Sequence, residues 1–310
     1  MSNMKRIGFI GLGIMGVPMV RNLCKAGMDV TIIENGHGNK EAIAELKEKG
    51  VRTAPTARET ARNQDVVITM LPNGRIVKDI LTGPDGVLAG ITPGTVLIDS
   101  SSVAPAESKQ FAALAQEAGC PFLDAPVSGG EPGAIAGTLA FMIGGDETVA
   151  GKVRDVFDAM GSSAVVTGPN GAGSVTKLCN QIMCFINIAA VSEALVLAQK
   201  AGADPKKVYE AVRGGLAGSA ILEQKAARIY GRDFAPGGFL ESQMKDINHV
   251  METAQELDVP LLLAPMVQQI TESLMQEGRG REDNSCMVTF YEKNGRNYGT
   301  NEGIDKKKVQ

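Results

Sequence analysis

A glycine-rich turn near the start of the chain places the strongest constraint on its fold. The turn follows the apolar run RIGFI, precedes an amphipathic segment that begins at residue 18, and consists of Gly11, Leu12, Gly13, Ile14, Met15 and Gly16. Between a strand and a helix, such glycines permit a tight turn, close approach of the backbone to a pyrophosphate and close helix packing. Glycines also occur in plain tight connections, but this placement favours dinucleotide binding at the helix start.

The residues up to about 168 alternate short β-rich runs with helical stretches, which predicts an α/β fold with a doubly wound, mostly parallel sheet of the Rossmann type. The predicted strands are near-continuous runs of Val, Ile and Leu, as expected for parallel strands buried on both faces, and cover residues 6–10, 29–33, 65–70, 95–99 and 121–125. A further pair at 139–143 and 164–167 flanks a helical segment over 146–160 and extends the sheet.

The second part of the chain has a different pattern. Residues 173–200 form one long stretch that is apolar on almost every side, which predicts a helix buried by other helices or by a second subunit. Further helices are predicted over 205–213, 219–230, 240–256 and 260–276. We therefore expect a dinucleotide-binding domain over 1–168, joined through the long helix to an all-α domain over 169–292 for substrate binding and oligomerisation. The polar residues 293–310 are predicted to be disordered.

Composition excludes several classes of protein. Lys and Arg total 31 against 35 Asp and Glu, and these charges are interspersed, so no basic stripe is available for nucleic acid. The five cysteines form no CxxC pair and only two histidines are present, so no metal site is expected. The cysteines are expected to be small buried hydrophobes in a reducing compartment. The first six residues are too short and polar for a signal peptide, and no stretch of roughly 20 apolar residues is expected to span a membrane. These observations predict a cytoplasmic protein.

An acidic residue at the end of the second predicted strand bears on the choice of dinucleotide. Glu34 stands where this fold, counted from Gly11, places the acid that binds the adenosine ribose. A carboxylate there accepts hydrogen bonds from the ribose hydroxyls and repels a 2′-phosphate. No Arg follows to bind such a phosphate. The position favours NAD over NADP, although Glu34 could be an ordinary strand-end glutamate and the loop over 35–39 could bind a phosphate.

Several motifs in order along the chain resemble those of the β-hydroxyacid dehydrogenase family. They begin with the turn described above and continue at Met70-Leu71-Pro72-Asn73, Asp99-Ser100-Ser101-Ser102, Asp124-Ala125-Pro126-Val127-Ser128-Gly129-Gly130, 171–181 and Lys245-Asp246. The resemblance extends from residue 5 to about 292. Most of the motifs follow predicted strands, and ligands of open α/β sheets bind at the carboxyl ends of strands. Taken singly, each Ser/Gly cluster is better explained as a plain turn.

The resemblance implies which residues form the site. Lys177 is the implied catalytic acid/base, and a lysine in the most apolar helix is costly unless it functions or is paired. A snorkelling lysine is the alternative. The implied substrate ligands are Ser128, Gly129, Gly130, Asn180, Gln181 and Lys245. The implied cofactor ligands, besides the glycine turn and Glu34, are Leu71, Pro72, Asn73, Ser102, Lys245 and Asp246.

Helical spacing gives independent support to part of this set. Lys177, Asn180 and Gln181 occupy positions i, i+3 and i+4, so they project from one face of the predicted helix. Family members usually carry Asn-Asn where this chain has Asn180-Gln181. Without the resemblance, Lys245 and Asp246 would be interpreted as an exposed charged pair on a helix.

The resemblance also implies a reaction. The segments 213–219 and 128–132 are similar to those of the tartronate semialdehyde reductases of this family, which predicts NADH-dependent reduction of tartronate semialdehyde to glycerate. A 2-(hydroxymethyl)glutarate or 3-hydroxyisobutyrate dehydrogenase is the alternative within the family. A non-catalytic dinucleotide-binding interaction module is the alternative of another class, and the retained Lys177 favours the enzyme. The long apolar helix predicts a homodimer or homotetramer.

Overall fold

The computed structural model of the chain describes residues 4–34 and 39–294. The chain forms two compact units that meet between Asn180 and Gln181, inside a long helix. The first unit, up to Asn180, is an α/β structure, and the second, from Gln181, is helical. The predicted order of a mostly parallel doubly wound sheet followed by helices is confirmed. The predicted domain boundary after residue 168 lies shortly before the long helix begins.

Within the described residues, the first unit is built on one nine-stranded sheet. Its strands are β1 Arg6–Ile10, β2 Asp29–Ile33, β3 Arg52–Ala54, β4 Val66–Thr69, β5 Val96–Asp99, β6 Phe122–Asp124, β7 Val127–Ser128, β8 Leu139–Gly144 and β9 Gly161–Gly168. The order is β3-β2-β1-β4-β5-β6-β8-β7, with β9 paired to β8. Strands β1 to β6 pair in parallel, β8 runs antiparallel to β6 and β7, and β9 is parallel to β8.

The strand order reverses direction between β1 and β4. A chain that winds outward from β1 to β3 and then returns to β4 leaves a crevice at the carboxyl ends of β1 and β4. The glycine turn follows β1, and the Leu71–Asn73 segment follows β4, so both lie at this crevice. The topology thus brings together two predicted cofactor segments that are separated in sequence by β2, β3 and the helices between them.

Both faces of the sheet are buried. Val66 and Ile68 of β4 pack into one hydrophobic cluster with helix residues such as Leu23, whereas Val67 packs into the opposite cluster with Phe111. This alternation is what the two-residue period of a strand requires. Because helices cover both faces, each strand is a continuous apolar run, which is why the sequence pattern predicted them.

The helices of the first unit connect these strands. They are α1 Gly16–Lys25, α2 Lys40–Glu48, α3 Ala57–Ala61, α4 Gly74–Thr82, α5 Val87–Gly90, α6 Pro105–Glu117, α7 Gly130–Ala136, α8 Glu147–Lys152 and α9 Arg154–Met160. The single helix predicted over 146–160 is therefore two, interrupted at Val153, whose backbone leaves the helical region. Strands β3 and β7 were not predicted, because such short segments cannot establish an alternating pattern.

The helical unit contains several long elements. The long helix α10, Ala172–Lys200, contributes to both units, and it is followed by α11 Pro205–Val212, α12 Ala220–Gly231, α13 Leu240–Glu256, α14 Ala264–Gln276, a 3₁₀ turn Asn284–Met287 and α15 Val288–Asn294. Phe185 and Ile188 of α10 pack with Leu240 and Ile247 of α13. Helix α10 is long and apolar enough to cross a membrane by length and composition, which the sequence analysis did not expect. The core helix of a helical domain has the same properties.

The predicted disordered segment began at residue 293, but Lys293 and Asn294 end α15, and residues 295–310 lie outside the described part of the chain. The prediction that the cysteines are buried is wrong for Cys179, which is exposed, and Cys24 and Cys184 are only partly buried. Among the described residues, no three His, Cys, Asp or Glu side chains form a group that could hold a metal ion.

We expect Gly173→Ala to destabilise the protein, because a Cβ at this helical glycine would lie 2.4 Å from both the Asp124 and Met142 carbonyl oxygens. Overpacking of this kind costs about 1–3 kcal/mol or more. The matched control is Gly151→Ala in α8, where a Cβ would meet nothing within 4 Å. Urea unfolding of both variants checks the expectation, and equal stability of the two would contradict it.

Candidate active site

The glycine turn after β1 has the geometry that a pyrophosphate needs. Gly11 has φ of 111°, and a Cβ there would lie 2.1 Å from the Met70 carbonyl oxygen. At Gly16, a Cβ would lie 1.8 Å from the Gly11 carbonyl oxygen, so only glycine lets α1 begin so close to β1. Nothing lies within 4 Å of a Cβ placed at Gly13, which is exposed together with Ile14. The turn therefore offers open backbone at the amino end of a helix, which fits a bound dinucleotide.

The loop after β4 is held by a buried serine. Ser101 is 1% exposed, and its Oγ accepts a hydrogen bond of 2.9 Å from the Leu71 backbone N–H. Pro72 is exposed, and Asn73 caps α4 by accepting the Ile76 N–H at 3.0 Å. The family resemblance implies cofactor contacts for Leu71, Pro72, Asn73 and Ser102. The structure places the first three at the crevice and leaves Ser102 half-buried beside Ser101.

Glu34 has a partner that the sequence analysis missed. The Lys47 ammonium on α2 donates to both carboxylate oxygens of Glu34, at 2.9 and 3.1 Å. The hydrogen bonds from Lys47 and Thr53 lower the pKa of the Glu34 carboxyl. Glu34 follows β2 directly, as predicted for a ribose ligand. Its carboxylate also forms a salt bridge with Lys47, which lies near the end of the next helix. Residues 35–38 of the alternative phosphate-binding loop over 35–39 lie outside the described residues, and Asn39 caps α2 by accepting the Ala42 N–H at 3.0 Å.

The start of α10 is attached to the sheet by Asp124 at the end of β6. Its two carboxylate oxygens accept the backbone N–H groups of Gly171, at 2.8 Å, and Ser174, at 3.0 Å. Burial raises the pKa of the Asp124 carboxyl, and these two N–H groups oppose that rise. A carboxylate at a helix amino terminus satisfies N–H groups that have no partner within the helix. Asp124 therefore determines where α10 begins relative to β6.

Lys177 lies on the second turn of this helix and returns to the same segment of the sheet. Its Nζ donates a hydrogen bond of 2.9 Å to the Val127 carbonyl oxygen, and the residues that follow Val127 are the predicted substrate ligands Ser128, Gly129 and Gly130. Ser128 is half-buried, while Gly129 and Gly130 are exposed and have φ of 131° and 60°. The short segment from Asp124 to Val127 thus holds both the helix start and the lysine side chain.

A second group of predicted residues lies within the helical unit. Gln181 of α10 donates from Nε2 to the Oδ2 of Asp246 on α13, and Lys245 Nζ lies 3.2 Å from Asp246 Oδ1. Gln181 and Asp246 are buried, whereas Lys245 is 26% exposed at its side chain. Asn180, the last residue of the first unit, is half-buried. The structure therefore shows two groups, one around Lys177 in the first unit and one around Asp246 in the second.

Comparison with known proteins extends over almost the whole chain. The family model described as the NAD binding domain of 6-phosphogluconate dehydrogenase matches residues 6–168, and the one described as NAD-binding of NADP-dependent 3-hydroxyisobutyrate dehydrogenase matches residues 171–291. The chain is 39% identical to the 2-hydroxy-3-oxopropionate reductase of Escherichia coli (strain K12), over 93% of this chain and 97% of that protein. It is 38% identical to the 2-(hydroxymethyl)glutarate dehydrogenase of Eubacterium barkeri, over 93% of this chain and 95% of that protein.

A solved structure gives the same result for the fold. The crystal structure of 3-hydroxyisobutyrate dehydrogenase from Salmonella typhimurium matches with a TM-score of 0.84 and 30% sequence identity, covering 92% of this chain and 99% of that chain. The glycine turn at the crevice and these matches define a dehydrogenase that depends on a nicotinamide dinucleotide and acts on CH–OH groups. The chain belongs to the β-hydroxyacid dehydrogenase family. The family resemblance found in the sequence is thus confirmed.

A buried carboxyl next to the site gives a prediction about pH. Burial raises the pKa of Asp99 to about 6, against opposing hydrogen bonds from Ser101 and Thr69, and the neighbouring Asp124 adds to the rise. Between pH 4 and 6 the native state therefore retains a proton that the unfolded chain, with a carboxyl pKa near 3.9, releases. The contribution of Asp99 to stability then falls as pH rises, by ~3 kcal/mol for about two pK units.

We expect the unfolding free energy of the wild type, relative to that of Asp99→Asn, to decrease by about this amount between pH 4 and 7. Urea unfolding at several pH values measures it. Asp65→Asn is the control of opposite sign, because Arg6 lowers the pKa of the Asp65 carboxyl. The contribution of Asp65 to the stability of the folded protein is therefore lost as pH falls. If the difference in unfolding free energy between the wild type and Asp99→Asn did not change with pH, the prediction would be contradicted.

Proposed function

We propose that the protein reduces tartronate semialdehyde to glycerate with NADH, and that Lys177 is the acid/base. The contact between Lys177 Nζ and the Val127 carbonyl oxygen carries this proposal, because it holds an ammonium directly beside the Ser128–Gly130 turn. That turn offers a hydroxyl and exposed backbone N–H groups, which suit a substrate carboxylate. The 39% identity to a 2-hydroxy-3-oxopropionate reductase supports the same substrate.

In the proposed mechanism, each residue has a separate role. When bound, the nicotinamide dinucleotide supplies the hydride for carbonyl reduction. Lys177, as an ammonium, gives a proton from Nζ to the carbonyl oxygen, which becomes the hydroxyl of the product; in alcohol oxidation the neutral amine takes that proton back. Ser128, Gly129 and Gly130 bind the carboxylate, and Asn180 orients the substrate hydroxyl. The Val127 carbonyl limits the positions that the long lysine side chain can adopt.

The proposed cofactor ligands divide according to the parts of the dinucleotide. The turn from Gly11 to Gly16 binds the pyrophosphate, and Glu34 binds the adenosine ribose, for which reason we propose NADH over NADPH. The remaining proposed cofactor ligands of the first unit are Leu71, Pro72, Asn73 and Ser102. Lys245 and Asp246 are the proposed cofactor ligands on the helical unit. A short-chain hydroxy acid other than glycerate, such as 2-(hydroxymethyl)glutarate or 3-hydroxyisobutyrate, is the alternative, because relatives named for both match this chain.

We also propose that the protein acts in the cytoplasm as a homodimer or homotetramer. Only 39% of the most apolar window of α10 is buried within the chain, and Met183 and Leu197 on this helix are 66% and 70% exposed. Association of copies would cover such side chains.

We expect Lys177→Ala to lose most turnover but to bind NADH with a nearly unchanged dissociation constant, since the proposed pyrophosphate and ribose ligands are on other elements. General acid/base catalysis contributes about 10²–10⁴-fold, so kcat falls by that order. Lys177→Arg falls nearly as far, because an arginine keeps the charge but does not release its proton. A folded alanine variant that kept more than about a tenth of wild-type kcat would remove Lys177 from this role.

The substrate is tested with a panel of short semialdehydes and NADH, followed by absorbance of the cofactor. We expect higher kcat/KM for tartronate semialdehyde than for methylmalonate semialdehyde, because the amide of Asn180 can bond to a hydroxyl but not to a methyl group. A pocket that hydrogen-bonds a hydroxyl discriminates strongly against its absence. The reverse preference would favour 3-hydroxyisobutyrate dehydrogenase activity instead.

A further inference from the structure

Gln181 differs from the other two predicted site residues on its helix. Lys177 and Asn180 are partly exposed, whereas Gln181 is 8% exposed, although all three belong to neighbouring turns of one helix. A side chain so little exposed has little surface for a substrate. Its amide donates a hydrogen bond to the buried carboxylate of Asp246 on α13, within the helical unit.

The chemistry of this contact determines the orientation of the amide. A carboxylate only accepts hydrogen bonds, so the amide nitrogen of Gln181, not its oxygen, faces Asp246. A hydrogen bond of this type, from an amide N–H to a charged acceptor, is stronger than one between neutral groups. Because both partners are buried, the contact competes little with water.

Asp246 in turn contacts Lys245 through its other oxygen. The Lys245 Nζ lies 3.2 Å from Oδ1, while Oδ2 accepts from Gln181. Neighbouring residues of a helix point about 100° apart, so Lys245 reaches the Asp246 carboxylate only when both side chains fold toward each other. A donor on Oδ2 restricts rotation of the carboxylate and keeps Oδ1 directed at the ammonium.

We propose that Gln181 is a positioning residue that orients Lys245 through Asp246, and that it does not itself bind the substrate. The proposal rests on the proposed function, in which Lys245 binds cofactor or substrate. It changes the role that the sequence analysis gave to Gln181. The order of action is Gln181 on α10, then Asp246, then the Lys245 ammonium, whose side chain is 26% exposed.

A double-mutant cycle tests this order. The variants are Gln181→Met, which keeps the length of the side chain but has no donor, Lys245→Gln, and the double variant. The two measurements are the NADH dissociation constant by fluorescence titration and the KM for glycerate with NAD. We expect Lys245→Gln to raise at least one constant about tenfold, and Gln181→Met to raise the same constant roughly 3- to 10-fold with little change in kcat. In the double variant, the constant equals that of Lys245→Gln alone.

The control for a merely structural effect is Gln243→Met on the same helix as Asp246. Gln243 is 2% exposed and its Nε2 donates to Thr271 Oγ1 at 2.9 Å, so its replacement removes a buried glutamine hydrogen bond whose acceptor is not Asp246. We expect a lowered Tm but both constants within about twofold of wild type. The proposal would be overturned if the effects of Gln181→Met and Lys245→Gln on the constant multiplied in the double variant. It would also be overturned if Lys245→Gln changed neither constant, or if Gln243→Met changed the constants as much as Gln181→Met does. The NADH titration does not depend on which hydroxy acid reacts, and so separates this outcome from failure of the proposed function.

Discussion

The attachment of α10 to the sheet by Asp124 is the interaction on which the rest of the site depends. The carboxylate is buried and lies at the end of β6, where its two oxygens meet the N–H groups of Gly171 and Ser174. One turn beyond Ser174, Lys177 returns to Val127, so one short segment of chain holds the helix at two points. The lysine is thus oriented by contacts within the chain.

The other recurring constraint is the absence of side chains where backbones approach one another. Gly16 lies against the Gly11 carbonyl group, and Gly173 lies against the carbonyl groups of β6 and β8. Both glycines lie at the start of helices that carry proposed site residues: α1 presents its amino end to the crevice, and α10 carries Lys177. Both helices therefore start nearer to the strands than any residue with a Cβ would permit, which brings backbone groups and side chains within reach of a ligand at the strand ends.

The sequence predicted those features that repeat along the chain. Strands such as Arg6–Ile10 and Asp29–Ile33 were found with their bounds, because burial on both faces gives an unbroken apolar run. The pairing of Glu34 with Lys47 was not found, since it depends on how α2 packs beside β2. The contact between Lys177 and Val127 was also not predicted, because its acceptor is a backbone carbonyl oxygen, which every residue type has. For Gln181, spacing predicted the helix face, but its buried partner belongs to α13, which is distant in sequence.

The two compact units meet inside α10, at Asn180, and not at a loop. In most two-domain chains the junction is an exposed linker, where proteases cut and where the halves can be separated. Here every backbone N–H near the junction is engaged in helix, and a cut would leave each half with an incomplete helix whose apolar side chains have lost part of their packing. The dinucleotide-binding half can therefore be isolated only with part of α10 attached to it.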